Sequence, residues 1–228
     1  MGKYDLYKKT VLEYSQKVFS KGYTAGTGGN VSMLVEGEEA IAITPSARSY
    51  MELKIDEICV VGFDLSVIEG TQRPSIETGM HATIYKNRRD VNAVIHAHQT
   101  FASVLSILNR PIPPLFDEVL YNVGDRIDVI PYALSGSPEL AAGVASRLAN
   151  RCNCYVLQNH GALSLGISME KAFANMELFE KSAMVYYYAL ASGQPITELP
   201  ESVVTPLKQL LVMGQDSEIK RKSEIVKK

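Results

Sequence analysis

The chain has no tryptophan, only three cysteines and only four histidines in 228 residues. Each scarcity excludes something. Cys59, Cys152 and Cys154 are too few for a disulfide scaffold and fit a reducing compartment. Nor do they form a metal set: Cys152 and Cys154 would share a strand face, but no second pair accompanies them. All three read as buried or incidental thiols. An excess of charge is also missing. A formal net charge of −2 and a pI near 6.1 give no electrostatic case for a nucleic-acid partner. No apolar run approaches the roughly 20 residues that cross a membrane. The opening segment MGKYDLYKKTVLEYSQ scatters charges and lacks the apolar centre of a signal peptide. Leu6 stands where myristoylation of Gly2 would want Ser or Thr. The expectation is a cytoplasmic protein without membrane attachment.

What is present is an ordinary globular composition, 46% hydrophobic and 21% charged, in a length that suits one large domain or two small ones. No repeat, low-complexity tract or linker divides it. Residues 4–20 read as an amphipathic helix with Val11, Tyr14 and Val18 on one face and Gly22 as its cap. GTGGNVSMLV is a Gly-rich turn entering a strand at Val31, and EAIAITPS and EICVVGFD are two further strands. SIETGMHATIYKNR reads as a helix capped by Ser75, with Met80, Ile84 and Tyr85 inward. NAVIHAH is a strand and TFASVLSIL a helix. SPELAAGVASRLAN is a helix capped by Ser137 with Pro138 in its first turn. CYVLQNHGAL is a strand, and residues 169–192 form a long helix closed by Gly193. The alternation predicts a single α/β domain over residues 1–215 with a mixed or antiparallel central sheet. Residues 216–228 read as a charged tail, disordered in isolation.

Two of the four histidines stand one residue apart in VIHAHQT. In a strand, His96 and His98 present two imidazoles on one face while Ala97 points away. Neutral imidazole is the commonest transition-metal ligand, so the pair is half of a zinc site. His160 ends another apolar strand, and Gly161 after it permits close backbone approach. Three histidines with one open position is the pattern of catalytic rather than structural zinc. The fourth, His81, lies four residues after Glu77 and shares its helical face. Both could be metal ligands, but a structural role for His81 is the preferred reading. Glu77 itself, in the first turn of its helix, either complements the helix dipole or is a base held on a rigid helix start. Three turns, GTGGN (26–30), TPSARS (44–49) and RPSIE (73–77), place small or hydroxyl residues at element ends, where exposed N–H groups favour anions.

Taken together, GTGGNVS, ITPSARSY, PSIE with His81 following, AVIHAHQTFASVLSILNRPIP and LQNHGALSLG resemble the class II aldolase/adducin-head family, in its L-fuculose-1-phosphate aldolase branch. The resemblance spans roughly Tyr4 to Gly193. It implies a three-layer α/β/α domain around a mostly antiparallel sheet, and a homotetramer with active sites between subunits. It implies zinc held by His96, His98 and His160, and a catalytic carboxylate at Glu77 that can also touch the metal. It implies a phosphate site at Gly29 and Asn30, Ser46 and Ala47, and Ser75 and Ile76. Ala47 replaces a frequent glycine and Ile76 replaces a second serine, so the phosphate would have fewer side-chain donors; Arg48 and Arg73 stand beside these turns.

The implied reaction is cleavage of a ketose 1-phosphate to dihydroxyacetone phosphate and an aldehyde through a metal-stabilised enediolate, with Glu77 shuttling the proton. Aldolases for 5-deoxyribulose or methylthioribulose 1-phosphate, and a decarboxylase of a sugar-acid phosphate, would use the same residues. A pentulose-phosphate 4-epimerase fits less well, because those enzymes carry Asp where Glu77 stands. An adducin-like interaction module fits poorly with three intact histidines. The fuculose enzymes protonate the leaving aldehyde with a tyrosine whose place here falls on Asp117, in ILNRPIPPLFDEVLY. Their second tyrosine, near the C-terminus, has no counterpart in LKQLLVMGQDSE. Asp117 is therefore a candidate for tuning the enzyme to another aldehyde half or to a substrate needing no aldehyde protonation. The competing reading makes Asp117 and Glu118 loop charges, with Tyr121 or a water as the proton donor.

Overall fold

The structure is a computed structural model and describes residues 2–225. Helix α1 (Asp5–Ser20) buries Val11, Tyr14, Ser15 and Val18, the stripe expected of a helix lying on a sheet. Strands β1 (Asn30–Leu34), β2 (Ala40–Ile43), β3 (Cys59–Gly62) and β4 (Val67–Glu69) follow. Next come α2 (Thr78–Asn87), β5 (Ala93–Ala97), α3 (Thr100–Leu108), α4 (Asp117–Asn122), β6 (Val129–Ile130) and α5 (Pro138–Ala145). Strands β7 (Cys154–Leu157) and β8 (Gly161–Gly166) precede the long helices α6 (Met169–Ala191) and α7 (Glu201–Ile225).

The eight strands form one sheet in the order β4-β3-β2-β1-β5-β8-β7-β6. Every neighbouring pair is antiparallel except β6 with β7. The strands alternate across this sheet. Ile41, Ile43 and Val94 pack under α2 and α5, while Ala42, Ala93, Ile95 and Ala97 pack under α1 and α6. Helices therefore cover both faces, as expected for an α/β/α domain. His96 is one pleat from Val94 and so points to the α2 face.

Several expectations are corrected. Helix α2 starts at Thr78, with Glu77 flanking it, so Ser75 is not its cap; the Ser75 hydroxyl instead accepts the Glu77 N–H at 3.2 Å in the turn before. The segment expected as one strand over CYVLQNHGAL is a hairpin. Leu157 pairs with Gly161, and Asn159 at φ 53 turns the chain between them. Asparagine tolerates that left-handed geometry, so the turn has a chemical cause. Strands β4 and β6 and helices α4 and α7 were not expected.

The tail expected from residue 216 is the continuation of α7 to Ile225, while Val226 and the two residues after it lie outside the described residues. Val204 packs the start of α7 into the core, and its second half is held by polar contacts. Gln215, only 2% exposed, donates to Arg151 O and Asn153 Oδ1, and its own Oε1 accepts from Arg151. Asn153 also accepts from Arg88, which is paired with Asp90 inside the protein. Farther along, Glu218 accepts from Asn92, and Lys222 donates to the Arg89 and Val91 carbonyls. These partners precede β5, so α7 sits at the end of the sheet opposite His96 and His98.

Candidate active site

The functional side chains gather at one end of the three central strands. Asn30 opens β1 and pairs across the sheet with His96 near the end of β5. His98 lies just past β5, where its N–H donates to Tyr23 O at 2.9 Å. The β7–β8 turn presents His160, and the chain entering α2 presents Glu77. Glycine lets these backbones close together. A Cβ at Gly161 would come within 2.6 Å of both the Ala97 carbonyl and the His98 ring. A Cβ at Gly29, where φ is 76°, would come within 2.6 Å of the His96 carbonyl. The Tyr50 hydroxyl fixes that glycine by donating to its carbonyl at 2.6 Å.

One nitrogen from each of His96, His98 and His160 lies within 4.8 Å of the others. The His96 and His98 Nε2 atoms are 3.1 Å apart. Two nitrogens about 2.0–2.1 Å from one tetrahedral zinc would be separated by roughly 3.3 Å. Glu77 reaches into the same space, its Oε2 3.2 Å from His96 Nε2 and its Oε1 3.4 Å from His160 Nε2. Asn30 holds that carboxylate, donating from Nδ2 to Oε2 at 2.7 Å. His96 donates from Nδ1 to the Ala162 carbonyl at 2.9 Å, which fixes the tautomer and leaves Nε2 as a free lone pair.

The electrostatics suit ligands. Burial, with help from the neighbouring imidazoles, pushes His98 and His160 down to about 4, so both are neutral at pH 7. Burial alone would raise Glu77. His96, the Asn30 amide and His160 outweigh it and keep the carboxyl below its usual range. Glu77 Oε1 and Asn30 Oδ1 are buried without a partner. Unmet buried acceptors beside the free His96 lone pair and two further imidazoles are what a divalent metal and an oxygen-rich ligand would satisfy. The residues present therefore fit a metal ion.

Beside this cluster the expected phosphate turns come together. Pro45 and Pro74 bridge the second turn to the third. Ser46 Oγ accepts from the Ile76 N–H at 3.1 Å and donates to the Pro74 carbonyl at 3.0 Å. Ala47 has φ 54. The glycine expected at that place would be relaxed there, whereas alanine is strained by about 1–2 kcal/mol. Ile76 is exposed, and so is Arg73. Arg48 is half-exposed and its guanidinium is engaged by the buried Glu57 carboxylate, so it is not free to face a phosphate.

His81 is fully buried and takes the structural position: its Nδ1 contacts Ser32 Oγ at 2.6 Å. The cysteines are buried free thiols. Asp117 is exposed at the start of α4, beside a hollow lined by Leu115, Phe116, Val119, Leu178 and Lys181. It is not among the side chains that touch the histidines within the chain. Two contacts were not foreseen. Ser135, in the loop before α5, has its Oγ 3.2 Å from His160 Nε2. Glu180 on α6 accepts the Phe101 and Ala102 N–H groups, capping α3 directly after the histidine strand. Both are long-range pairings, and local sequence carries no signal for either.

A mixed, mostly antiparallel sheet between helices, with three convergent imidazoles and a buried carboxylate at one end, defines a class of metal-binding α/β enzyme folds. The family profile described as "Class II Aldolase and Adducin N-terminal domain" matches residues 9–187. The chain belongs to that family. It is 31% identical over 188 residues to the 5-deoxy-D-ribulose 1-phosphate aldolase of Bacillus thuringiensis serovar kurstaki, covering 82% of this chain and 87% of that protein. It is 28% identical over 206 residues to the 3-oxo-tetronate 4-phosphate decarboxylase of Haemophilus influenzae, covering 88% and 95%. The solved structure of an L-fuculose 1-phosphate aldolase superposes with a TM-score of 0.84 at 33% identity, covering 89% of this chain and 94% of that one.

Proposed function

We propose that the chain is a zinc-dependent lyase that cleaves a ketose 1-phosphate to dihydroxyacetone phosphate and an aldehyde. The observation that carries this reading is the convergence of His96, His98 and His160 on a buried carboxylate, Glu77, held by Asn30. These histidines would hold the metal, with Glu77 able to touch it. When bound, the metal supplies Lewis-acid polarisation of a carbonyl oxygen.

The chain's own groups supply the rest. Backbone around Gly29 and Asn30, with the turns at Ser46 and Ala47 and at Ser75 and Ile76, anchors the phosphate and so fixes the substrate's reacting end. Ionised at neutral pH, Glu77 removes the hydroxyl or C–H proton in one direction and returns it in the other. On this reading the enzyme is a cytoplasmic homotetramer, its exposed Ile107, Leu108, Phe116 and Tyr188 covered by neighbouring subunits. Asp117 then acts across a subunit boundary.

A second reading has one specific observation in its favour. Asp117 replaces the tyrosine expected to protonate the aldehyde, and α7 lacks tyrosine and is fastened at the far end of its own sheet. A sugar-acid phosphate that loses carbon dioxide needs no aldehyde protonation, so decarboxylation would dispense with both groups. A panel of ketose 1-phosphates and sugar-acid phosphates separates the readings, with dihydroxyacetone phosphate read in one channel and carbon dioxide in the other. The aldolase reading expects the first signal. Carbon dioxide alone would replace it with the second reading, and silence in both channels with metal-loaded protein would reject both.

A further inference from the structure

Between α2 and β1 runs a buried polar ladder. Glu77, flanking α2, and His81 and Tyr85 within it are spaced by four on one side, and Asn30 and Ser32 by two along one face of β1. The rungs are Asn30–Glu77 at 2.7 Å, Ser32–His81 at 2.6 Å and Ser32–Tyr85 at 2.8 Å. Ser32 and His81 have no exposed surface, and Tyr85 is 4% exposed. The upper rung belongs to the chemistry. The lower two involve no metal ligand and no expected phosphate group.

The donors in the lower rungs can be ordered. The Ser32 carbonyl can only accept, and the Tyr85 hydroxyl lies 3.0 Å from it, so Tyr85 donates there. We take the Ser32 hydroxyl to donate to Tyr85 and His81 to donate from Nδ1 to Ser32, the order that gives each hydroxyl proton and the Ser32 carbonyl a partner. Every proton in the chain is used, and the buried His81 Nε2, which has no partner, is left as a bare lone pair. Burial, with His96 nearby, pushes His81 down to about 3, in keeping with a permanently neutral ring. Thr78 bonds only within its own turn, to the Ser75 carbonyl, and Met80, Ala82 and Ile84 make non-directional apolar contacts, which by themselves fix axial register less sharply than hydrogen bonds. The directional bonds of Ser32 to His81 and Tyr85 add that constraint.

We infer that His81, through Ser32 and Tyr85, is a positioning residue that sets the rotation and axial register of α2 on β1 and thereby the reach of the Glu77 carboxylate. This rests on the reading of Glu77 as the proton-transfer group. A displacement of the order of 1 Å at a catalytic group can cost roughly a hundredfold in rate.

The test uses the full-length, metal-loaded chain in four variants, His81→Leu, His81→Asn, His81→Gln and Tyr85→Phe, with Glu77→Gln as control. Solvent exchange of the C3 proton of dihydroxyacetone phosphate, its KM, metal content and thermal midpoint are measured for each. His81→Leu is expected to keep its metal and KM and to lose exchange by roughly ten- to a hundredfold. His81→Asn, whose amide occupies the Nδ1 position, is expected to recover most of the rate, and His81→Gln to recover little. Tyr85→Phe keeps the packing and should fall between wild type and His81→Leu. A second readout needs no turnover: 15N shifts of the His81 ring in metal-free protein should show hydrogen on Nδ1 and none on Nε2. Normal exchange in folded His81→Leu and Tyr85→Phe, with Glu77→Gln inactive, would overturn the inference alone. Hydrogen on Nε2 would overturn the donor order on which it stands. Normal exchange in Glu77→Gln would instead reject the functional reading beneath it.

Discussion

The two ends of the central sheet both bury polar groups, and they treat them in opposite ways. At the far end, Arg88, Asp90, Asn153 and Gln215 are linked by hydrogen bonds, and with the Asn92–Glu218 bond they fasten α7 to the strands. At the near end, Thr24, Asn30, Glu77, His81, Gln99 and His160 each keep a buried side-chain atom without a partner. Among the described residues the far end has one such atom, Arg151 Nη2, beside Gln215. An unmet buried donor or acceptor costs about 1–3 kcal/mol, so a cluster of them is maintained against stability. The closed network holds the fold in place, whereas the open groups beside the three histidines, Glu77 and Asn30 above all, are placed to meet a ligand.

Substitutions at the two ends should therefore separate chemistry from stability. The largest effect is expected for His98→Ala. Stoichiometric metal should be lost and lyase activity should fall to background while the chain still folds, as metal analysis beside circular dichroism will show. Full metal content in that variant would remove His98 from the ligand set. Arg88→Met strands Asp90 without its partner inside the protein. Breaking a buried pair in this way costs about 3–5 kcal/mol, so denaturant midpoints should drop sharply. Turnover per folded molecule should stay unchanged, since the pair is at the opposite end from Glu77. A turnover loss in proportion to the stability loss would erase the distinction between the ends. The smallest effect is expected for Ala47→Gly. Relief of the left-handed strain, about 1–2 kcal/mol, is partly offset by about 0.5–1 kcal/mol of added backbone freedom in the unfolded chain. A net gain of up to about 1.5 kcal/mol should appear in chemical denaturation.

Much of the near end was legible because its signals are local. The His-x-His pair declares its own geometry once the strand is recognised, and the Gly and Ser turns announce element ends. His160 was found, although its strand proved to be a hairpin, because the Asn159 turn leaves the imidazole at the same end of the sheet. Asn30, a phosphate-site residue on the family resemblance, also holds Glu77 with its side-chain amide, a contact across 47 residues that no local pattern encodes. Ser135 and Glu180 were missed for the same reason. The far end was the least legible. Helix α7 has no continuous apolar stripe, and its charged last turns suggested a free tail. Its order comes from Gln215, Glu218 and Lys222 meeting carbonyls and amides far away in sequence. Strand β6 is only two residues long and depends on its parallel neighbour, so periodicity could not reveal it.

The account stands on Glu77 as a proton-transfer group at a three-histidine metal site, and one comparison tests that most directly. Wild type and Glu77→Gln are loaded to equal metal content, and the exchange of the dihydroxyacetone phosphate C3 proton with solvent is followed in both. The amide is nearly the same size and keeps most contacts but cannot accept a proton, so exchange should slow by at least about a hundredfold with the metal retained. Exchange at the wild-type rate in metal-replete Glu77→Gln would contradict the account.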